Sequence, residues 1–392
     1  MKTRKLIVFL TVSVAIGCLC SCGLLRTDTT ERPEVNFELL HLLYKGESFV
    51  CSPLSLQTAM ALAAEGASGQ TRSEILNTIS SSVNEVASTE TGPTLKQANA
   101  VVVNQNYPLL PTYCTSVETQ YKATVDELNF SDPQFVANRI NQWSKQQTEG
   151  SIRELLDPKD VTPATAAFLI NALYFLGEWE GTAQRPMFLS DNTRTQDFYR
   201  ADGSTCAVEM MSNKREHRYA ELDGFRVLEL PYAGGQYGFY VLLPDENNLP
   251  GLIDRLQTMT WTSILGQLKQ DADVYVQLPK FELENKLDLA EVLMQMGIKK
   301  AFQPGVAQFD RMFVAKDGEE FCISKVIQGA KISVTEKGTE AGAVTIVQMM
   351  ATTAFRPQER KQVHFYADHP FLFLLGDLHG NVLFQGAFVG EK

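Results

Sequence analysis

Residues 336–355 read EKGTEAGAVTIVQMMATTAF, and from Ala341 to Phe355 no charge or proline breaks the run, which stops at Arg356-Pro357. In an extended chain, alternation places Thr339, Ala341, Ala343, Thr345, Val347, Met349 and Ala351 on one face, all uncharged and mostly small. Glu340, Gly342, Val344, Ile346, Gln348, Met350 and Thr352 take the other face, where the only charge lies at the start. A long uncharged, β-prone segment left exposed is an aggregation hazard. Composition alone therefore reads as a sheet strand with one face suited to a hydrophobic core.

The head of the stretch, Glu336-Lys337-Gly338-Thr339-Glu340-Ala341-Gly342-Ala343, resembles the hinge of the reactive-centre loop in the serpin family, usually E-x-G-T-E-A-A-A-A-T. Downstream, residues 365–373 read FYADHPFLF and resemble that family's C-terminal signature. The resemblance extends over nearly the whole chain after about Phe37. It implies an α+β serpin fold: a single large domain with a large central mixed β-sheet, further sheets, about nine helices and an exposed reactive-centre loop. It assigns the hinge to Glu336, Gly338, Thr339, Glu340, Ala341, Gly342 and Ala343. Gly342 departs from the alanine run, and glycine weakens a strand without blocking it.

Ahead of that domain, Lys2, Arg4 and Lys5 precede an apolar run from Leu6 to about Gly17 and then Leu19-Cys20-Ser21-Cys22. This order is that of an export signal, and the run is shorter than the roughly 20 residues that span a bilayer. Leu19-x-Ser21-Cys22 resembles a bacterial lipobox, which implies cleavage before Cys22 and a lipid on it. The expected organisation is a signal peptide over 1–21, a lipidated tether over 22–36 and the serpin domain over 37–392. The product is an exported bacterial membrane lipoprotein, periplasmic or at the cell surface.

Removing the signal leaves 32 basic against 46 acidic side chains, a net charge of −14, which argues against nucleic acid or an anionic membrane surface as partner. Cys51, Cys114, Cys206 and Cys322 are widely scattered. No pair has metal-ligand spacing, and both disulfides and buried free thiols stay open. No cofactor is implied. About 370 residues without an internal linker or repeat favour one domain, expected to act as a monomer.

Ser52 caps a helix with Pro53 in its first turn, and the alanine-rich run to Glu65 ends at Gly66. Thr71-x-x-Glu74 reads as a capping box for the next helix. Residues 52–76 resemble a serpin helix pair, which assigns Ser52 and Ser55 to the control of sheet opening. Gln97 to Asn104 and Ala123 to Phe130 read as strands with a helical stretch between them. Asp132-Pro133 opens an amphipathic helix carrying Phe135, Val136, Ile140 and Trp143.

Residues 166–175, AAFLINALYF, read as a strand buried on both faces. The resemblance makes Asn171 a shutter residue and Trp179 the tryptophan where the loop first enters. Strands are also expected at Val227 to Pro231, Tyr237 to Pro244 and Val274 to Phe281, and a helix from Asp288 to Met296 closed by Gly297. Asp317-Gly318 reads as a hairpin turn before a strand from Phe321 to Thr335. Where many serpins carry a histidine paired with the shutter asparagine, this chain has Gln328, and a bond from Gln328 to Asn171 is the expected replacement.

No nucleophile elbow, zinc-protease motif, P-loop or Cys-x-x-Cys pair outside the signal is present, and the five histidines stand at unrelated spacings. His369 lies inside the C-terminal signature and reads as structural. The chain is therefore expected to be no enzyme. The resemblance implies inhibition by trapping: a target serine protease forms a covalent acyl complex, and the cut loop inserts into the central sheet. Counting from Glu336 sets the reactive bond at Thr352-Thr353, a bait for elastase-like or subtilisin-like enzymes. Counting back from the distal signature lands nearer Arg356, which suits a trypsin-like target. Met350 and Phe355 are secondary candidates. A non-inhibitory serpin acting as a binding or scaffold lipoprotein is the alternative from another class, and Thr339 speaks against it.

Overall fold

The structure, a computed structural model, describes residues 33–79, 92–182, 184–314, 320–339 and 360–390. Eight α-helices lie among them: α1 (Val35–Leu43), α2 (Pro53–Gly66), α3 (Gly69–Thr78), α4 (Pro111–Tyr121), α5 (Pro133–Gln147), α6 (Leu249–Leu256), α7 (Trp261–Leu265) and α8 (Ala290–Gln295). The first eight strands are β1 (Phe49–Cys51), β2 (Thr94–Asn104), β3 (Thr124–Leu128), β4 (Ala167–Glu178), β5 (Arg194–Tyr199), β6 (Thr205–Glu216), β7 (Tyr219–Leu222) and β8 (Phe225–Pro231). They are followed by β9 (Tyr237–Pro244), β10 (Ala272–Pro279), β11 (Phe281–Asp288), β12 (Ile327–Val334), β13 (Gly338–Thr339), β14 (Lys361–Tyr366), β15 (Phe371–Asp377) and β16 (Val382–Phe388).

Three sheets result, in the orders β1-β16-β15-β9-β8-β7, β14-β10-β6-β5 and β11-β12-β13-β4-β2-β3. The last is the central sheet, and it is mixed, because β2 and β3 run parallel while its other pairs are antiparallel. Its inner face contributes Leu173, Phe175, Ala330, Ile332 and Val334 to a core shared with the other two sheets. Burial of such apolar surface, worth roughly 25 cal/mol per Å², holds the layers together.

Ser52 caps α2 as expected, its hydroxyl accepting from the Ser55 N–H at 3.1 Å. The helix is apolar on nearly all sides and lies buried beneath the sheet. Asp132 likewise caps α5, accepting from the Phe135 N–H at 3.0 Å. Val136 and Ile140 of α5 bury against the outer face of the central sheet. Phe135 does not join them and is 52% exposed, because it sits in the first turn beyond the buried stripe.

Other local readings needed correction. The helix α3 begins at Gly69 after Ser68, ahead of the supposed cap at Thr71. Distant backbone takes both side chains of the expected capping box: Thr71 Oγ1 accepts from the Gln308 N–H at 3.0 Å, and Glu74 Oε2 accepts from Lys299 and Lys300 at 2.8 and 2.7 Å. The last long strand starts at Ile327, well after Phe321, and the turn at Asp317-Gly318 lies outside the described residues. Within β4, Ala167 to Leu169 and Asn171 are only half-buried, so the expected burial on both faces holds from Ala172 to Phe175.

Candidate functional site

β12 turns back on itself through Thr335 and Gly338, whose main chains exchange bonds of 2.9 and 3.3 Å. The two-residue strand β13 then enters the central sheet between β12 and β4, with Thr339 opposite Val334 on one side and Gly177 on the other. Gly338 has φ +152°, and a Cβ there would lie 2.0 Å from the Gly177 carbonyl oxygen. Only glycine fits this approach.

Thr339 is buried at 3% exposure, and its hydroxyl bonds the Tyr232 hydroxyl. Tyr232 stacks on Trp179 with ring centroids 4.7 Å apart. Trp179 in turn donates its indole N–H to the Thr335 carbonyl at 2.8 Å and its backbone N–H to Lys337 at 3.0 Å. Glu336 accepts from the Thr193 hydroxyl at 2.8 Å and pairs with Lys280 at 3.1 Å. Burial pushes the Glu336 carboxyl up, but bonds from its own backbone, Thr193 and Lys280 outweigh that and hold it below its usual value. Trp179, Glu336, Gly338 and Thr339 thus meet in one cluster. Glu340, Ala341, Gly342, Ala343, the candidate bait residues Met350, Thr352, Thr353, Phe355 and Arg356, and Cys22 all lie outside the described residues.

Below Thr339, β12 and β4 do not pair with each other. β12 pairs along its length with β11, Gln328 facing Leu287, while β4 pairs with β2, Asn171 facing Asn99. This overturns the expected bond from Gln328 to Asn171. Gln328 instead clamps the main chain of Ser52, its Oε1 accepting from the N–H and its Nε2 donating to the C=O, each at 2.8 Å. The Ser52 hydroxyl donates to the Leu383 carbonyl at 2.6 Å, and Asn285 Oδ1 accepts from the Val50 N–H at 2.8 Å. Across the junction, Asn171 Nδ2 donates to Asn99 Oδ1 at 2.6 Å, and Asn99 donates to the Tyr121 carbonyl, also at 2.6 Å. Asn171 Oδ1 is buried without a partner among the described residues. Each half therefore bonds within itself, with Asn171 Oδ1 left over on the β4 side.

At the foot of the two strands lies a cavity of about 240 Å³, walled by Met60, Leu169, Phe313, Cys322 and Val326 among others. Cys51, Cys114, Cys206 and Cys322 are free thiols. His369 is held between the Asp368 carboxylate and the Pro244 carbonyl, each 2.9 Å from a ring nitrogen, a structural placement. Sequence reasoning gave no role to Tyr232, Asn99, Asn285, Thr193 or Lys280. For the two asparagines the available signal is that a buried amide within a strand requires a hydrogen-bond partner.

A family profile described as Serpin (serine protease inhibitor) matches residues 33–390. An uncharacterized serpin-like protein, TK1782, from Thermococcus kodakarensis is 32% identical over 385 residues, covering 92% of this chain and 87% of that one. Among solved structures, cleaved Serpin 42Da matches with TM-score 0.78 at 26% identity, over 91% of this chain and 96% of that one. The thermophilic serpin tengpin in its native state also gives 0.78 at 26% identity, over 91% and 93% of the two chains. The chain is thus as similar in fold to the cleaved one as to the native one.

Proposed function

Because the chain belongs to the serpin family, we propose that it is a suicide-type inhibitor of serine proteases, with elastase-like or subtilisin-like enzymes as its targets. The protease attacks the bond Thr352-Thr353. The Thr352 carbonyl passes to the protease serine as an acyl ester, and the Thr353 amine leaves at the head of the C-terminal fragment. The cut loop then extends β13 downward between β12 and β4, carrying the bound protease with it before the ester is hydrolysed.

The observation that supports this reading is Thr339, already paired on both sides between two strands that do not pair with each other. Strand addition from that seed forms roughly a dozen backbone hydrogen bonds at about 0.5–1.5 kcal/mol each, on the order of 10 kcal/mol in all. That is comparable to the whole stability of a typical domain.

Ala351, Thr352 and Thr353 are small enough for a shallow specificity pocket. Arg356 is a poorer bait, because Pro357 restricts the backbone of the residue before it. The protein's part in the reaction is that of a trapped substrate, not a catalyst. It acts as a monomer, tethered through a lipid on Cys22 to a bacterial membrane, facing the periplasm or the cell surface.

Mixing the protein with a panel of serine proteases tests the bait. The expected result is a denaturant-resistant complex with an elastase-like or subtilisin-like enzyme and a released fragment beginning at Thr353. A fragment beginning at Pro357, with trapping of trypsin-like enzymes alone, contradicts the assignment. Cys22→Ala is expected to release the protein from the membrane fraction, and retained anchoring contradicts the lipid site.

A further inference from the structure

The cavity at the foot of the central sheet has two unlike ends. Its deep wall is apolar: Met60 of α2 meets Phe309, Met312 and Phe313, all buried in the core around that helix. Phe321 stacks on Phe313 with ring centroids 4.2 Å apart and meets Tyr107 edge-on at 5.5 Å, so the aromatic part of the wall is held in place. Phe168, Leu169 and Ile323 are only half-buried, and all three border this space. Toward solvent the wall turns polar, with Thr162, Glu320, Ser324 and Lys325 exposed.

The two charged side chains of that rim differ. Lys325 already has a partner, its ammonium lying 2.5 Å from the Asp160 carboxylate, which Lys286 shares at 3.5 Å. The Glu320 carboxylate has no hydrogen bond or ion pair among the described residues. Burial, with the Glu320 charge beside it, pushes the Cys322 thiol up, so that charge is felt in the wall. We propose that this cavity binds a small organic cation: a primary amine on a phenyl-sized apolar body, the ring against Phe313 and Phe321 and the ammonium toward Glu320. The site does not depend on the fate of the reactive-centre loop.

Size and charge select this ligand together. A cavity of about 150 Å³ already accepts benzene, so 240 Å³ has room for a ring and a short arm. A ring placed there leaves water for aromatic and thioether side chains, and Met60 and Met312 offer sulfur–aromatic contacts. The ammonium gains from an unpaired carboxylate and from the nearby ring faces. A neutral isostere keeps the burial and loses only the charge. An anion in the same place meets Glu320 and finds Lys325 already held by Asp160.

The test titrates the uncut chain, its methionine methyls isotope-labelled for NMR, with 2-phenylethylamine, 2-phenylethanol and phenylacetate. Met60→Leu and Met312→Leu, which nearly conserve volume, assign the two wall signals, and Met210 and Met211 in the main core serve as internal controls. The amine is expected to shift the Met60 and Met312 methyls and not the controls, with a Kd on the order of 1 mM for so small a ligand. The alcohol should shift the same methyls roughly threefold more weakly, as befits an exposed charge pair, and phenylacetate should bind weakest. Glu320→Gln should bring the amine down to the alcohol while both still reach the two methionines. No shift at Met60 and Met312 in amine at about ten times that Kd overturns the site. A preference for phenylacetate, equal affinities for amine and alcohol in the wild type, or an amine preference that survives Glu320→Gln overturns the cation assignment.

Discussion

The junction between β12 and β4 is finished at its upper end and unjoined below it. At the top, β13 bonds both neighbours, the Thr339 hydroxyl meets Tyr232, Trp179 covers the turn at Thr335, and Lys280 with Thr193 holds Glu336. Farther down, Gln328 serves Ser52 on one side and Asn171 serves Asn99 on the other, with no side-chain bond between them. Parting the halves at this level therefore breaks no bond between Gln328 and Asn171. In the proposed mechanism the upper cluster is where the added strand begins, and the lower region has no bond between Gln328 and Asn171 to break when it enters.

The harshest way to break the contrast is at its top. Thr339→Arg forces a guanidinium into a site now 3% exposed, which costs several kcal/mol without a partner. The variant is expected to be cut as an ordinary substrate with no stable complex, read by gel after denaturation. Retained full inhibition would mean that insertion does not pass through Thr339.

A smaller perturbation compares the two amides. Gln328→Leu leaves the buried N–H of Ser52 unpaired and takes one of two bonds from its carbonyl, which keeps the Leu56 N–H at 3.1 Å, and should destabilise the uncut protein by about 2–3 kcal/mol. Asn171→Leu takes the bond from Asn99 Oδ1 but also removes an oxygen that has no partner among the described residues, so its cost should be the smaller, about 1 kcal/mol. Denaturant titration of both variants decides, and a larger loss for Asn171→Leu would show that the junction depends on Asn171 more than on Gln328.

The mildest probe is acid. Burial, with Arg215 nearby, pushes the His217 imidazole down from 6.5 to about 4, so the unfolded chain takes up its proton first and stability falls as pH drops through that window. Glu336 is held below its usual 4.5, so its contribution is complete above that value and is lost as pH falls through the lower folded one. Lys280→Met should flatten the pH dependence of unfolding below 4.5 and leave the loss due to His217 intact. An unchanged acid limb would remove Glu336 from the account.

In the upper cluster Glu336, Gly338 and Thr339 stand in one short motif, so the sequence could single them out, as Ser52-Pro53 announces its own helix in the lower region. The partner of Gln328 could not be read that way, because it depends on how far β12 stands from β4, and no short pattern records that. Thr71 and Glu74 matched a capping box, yet backbone more than 200 residues away took both side chains. Tyr232 sits in an ordinary strand end, and nothing near it marks a hydroxyl that meets Thr339 from 107 residues away.

Hydrogen exchange at the backbone amides of β4 and β12, measured before and after the loop is cut, tests the central claim most directly. If the cut loop becomes the strand between them, amides from Phe168 to Leu176 and from Ile327 to Ser333 should slow markedly on cutting, while those of β15 and β16 stay as they were. Unchanged exchange along β4 and β12 in a chain verified as cut at Thr352-Thr353 would contradict it.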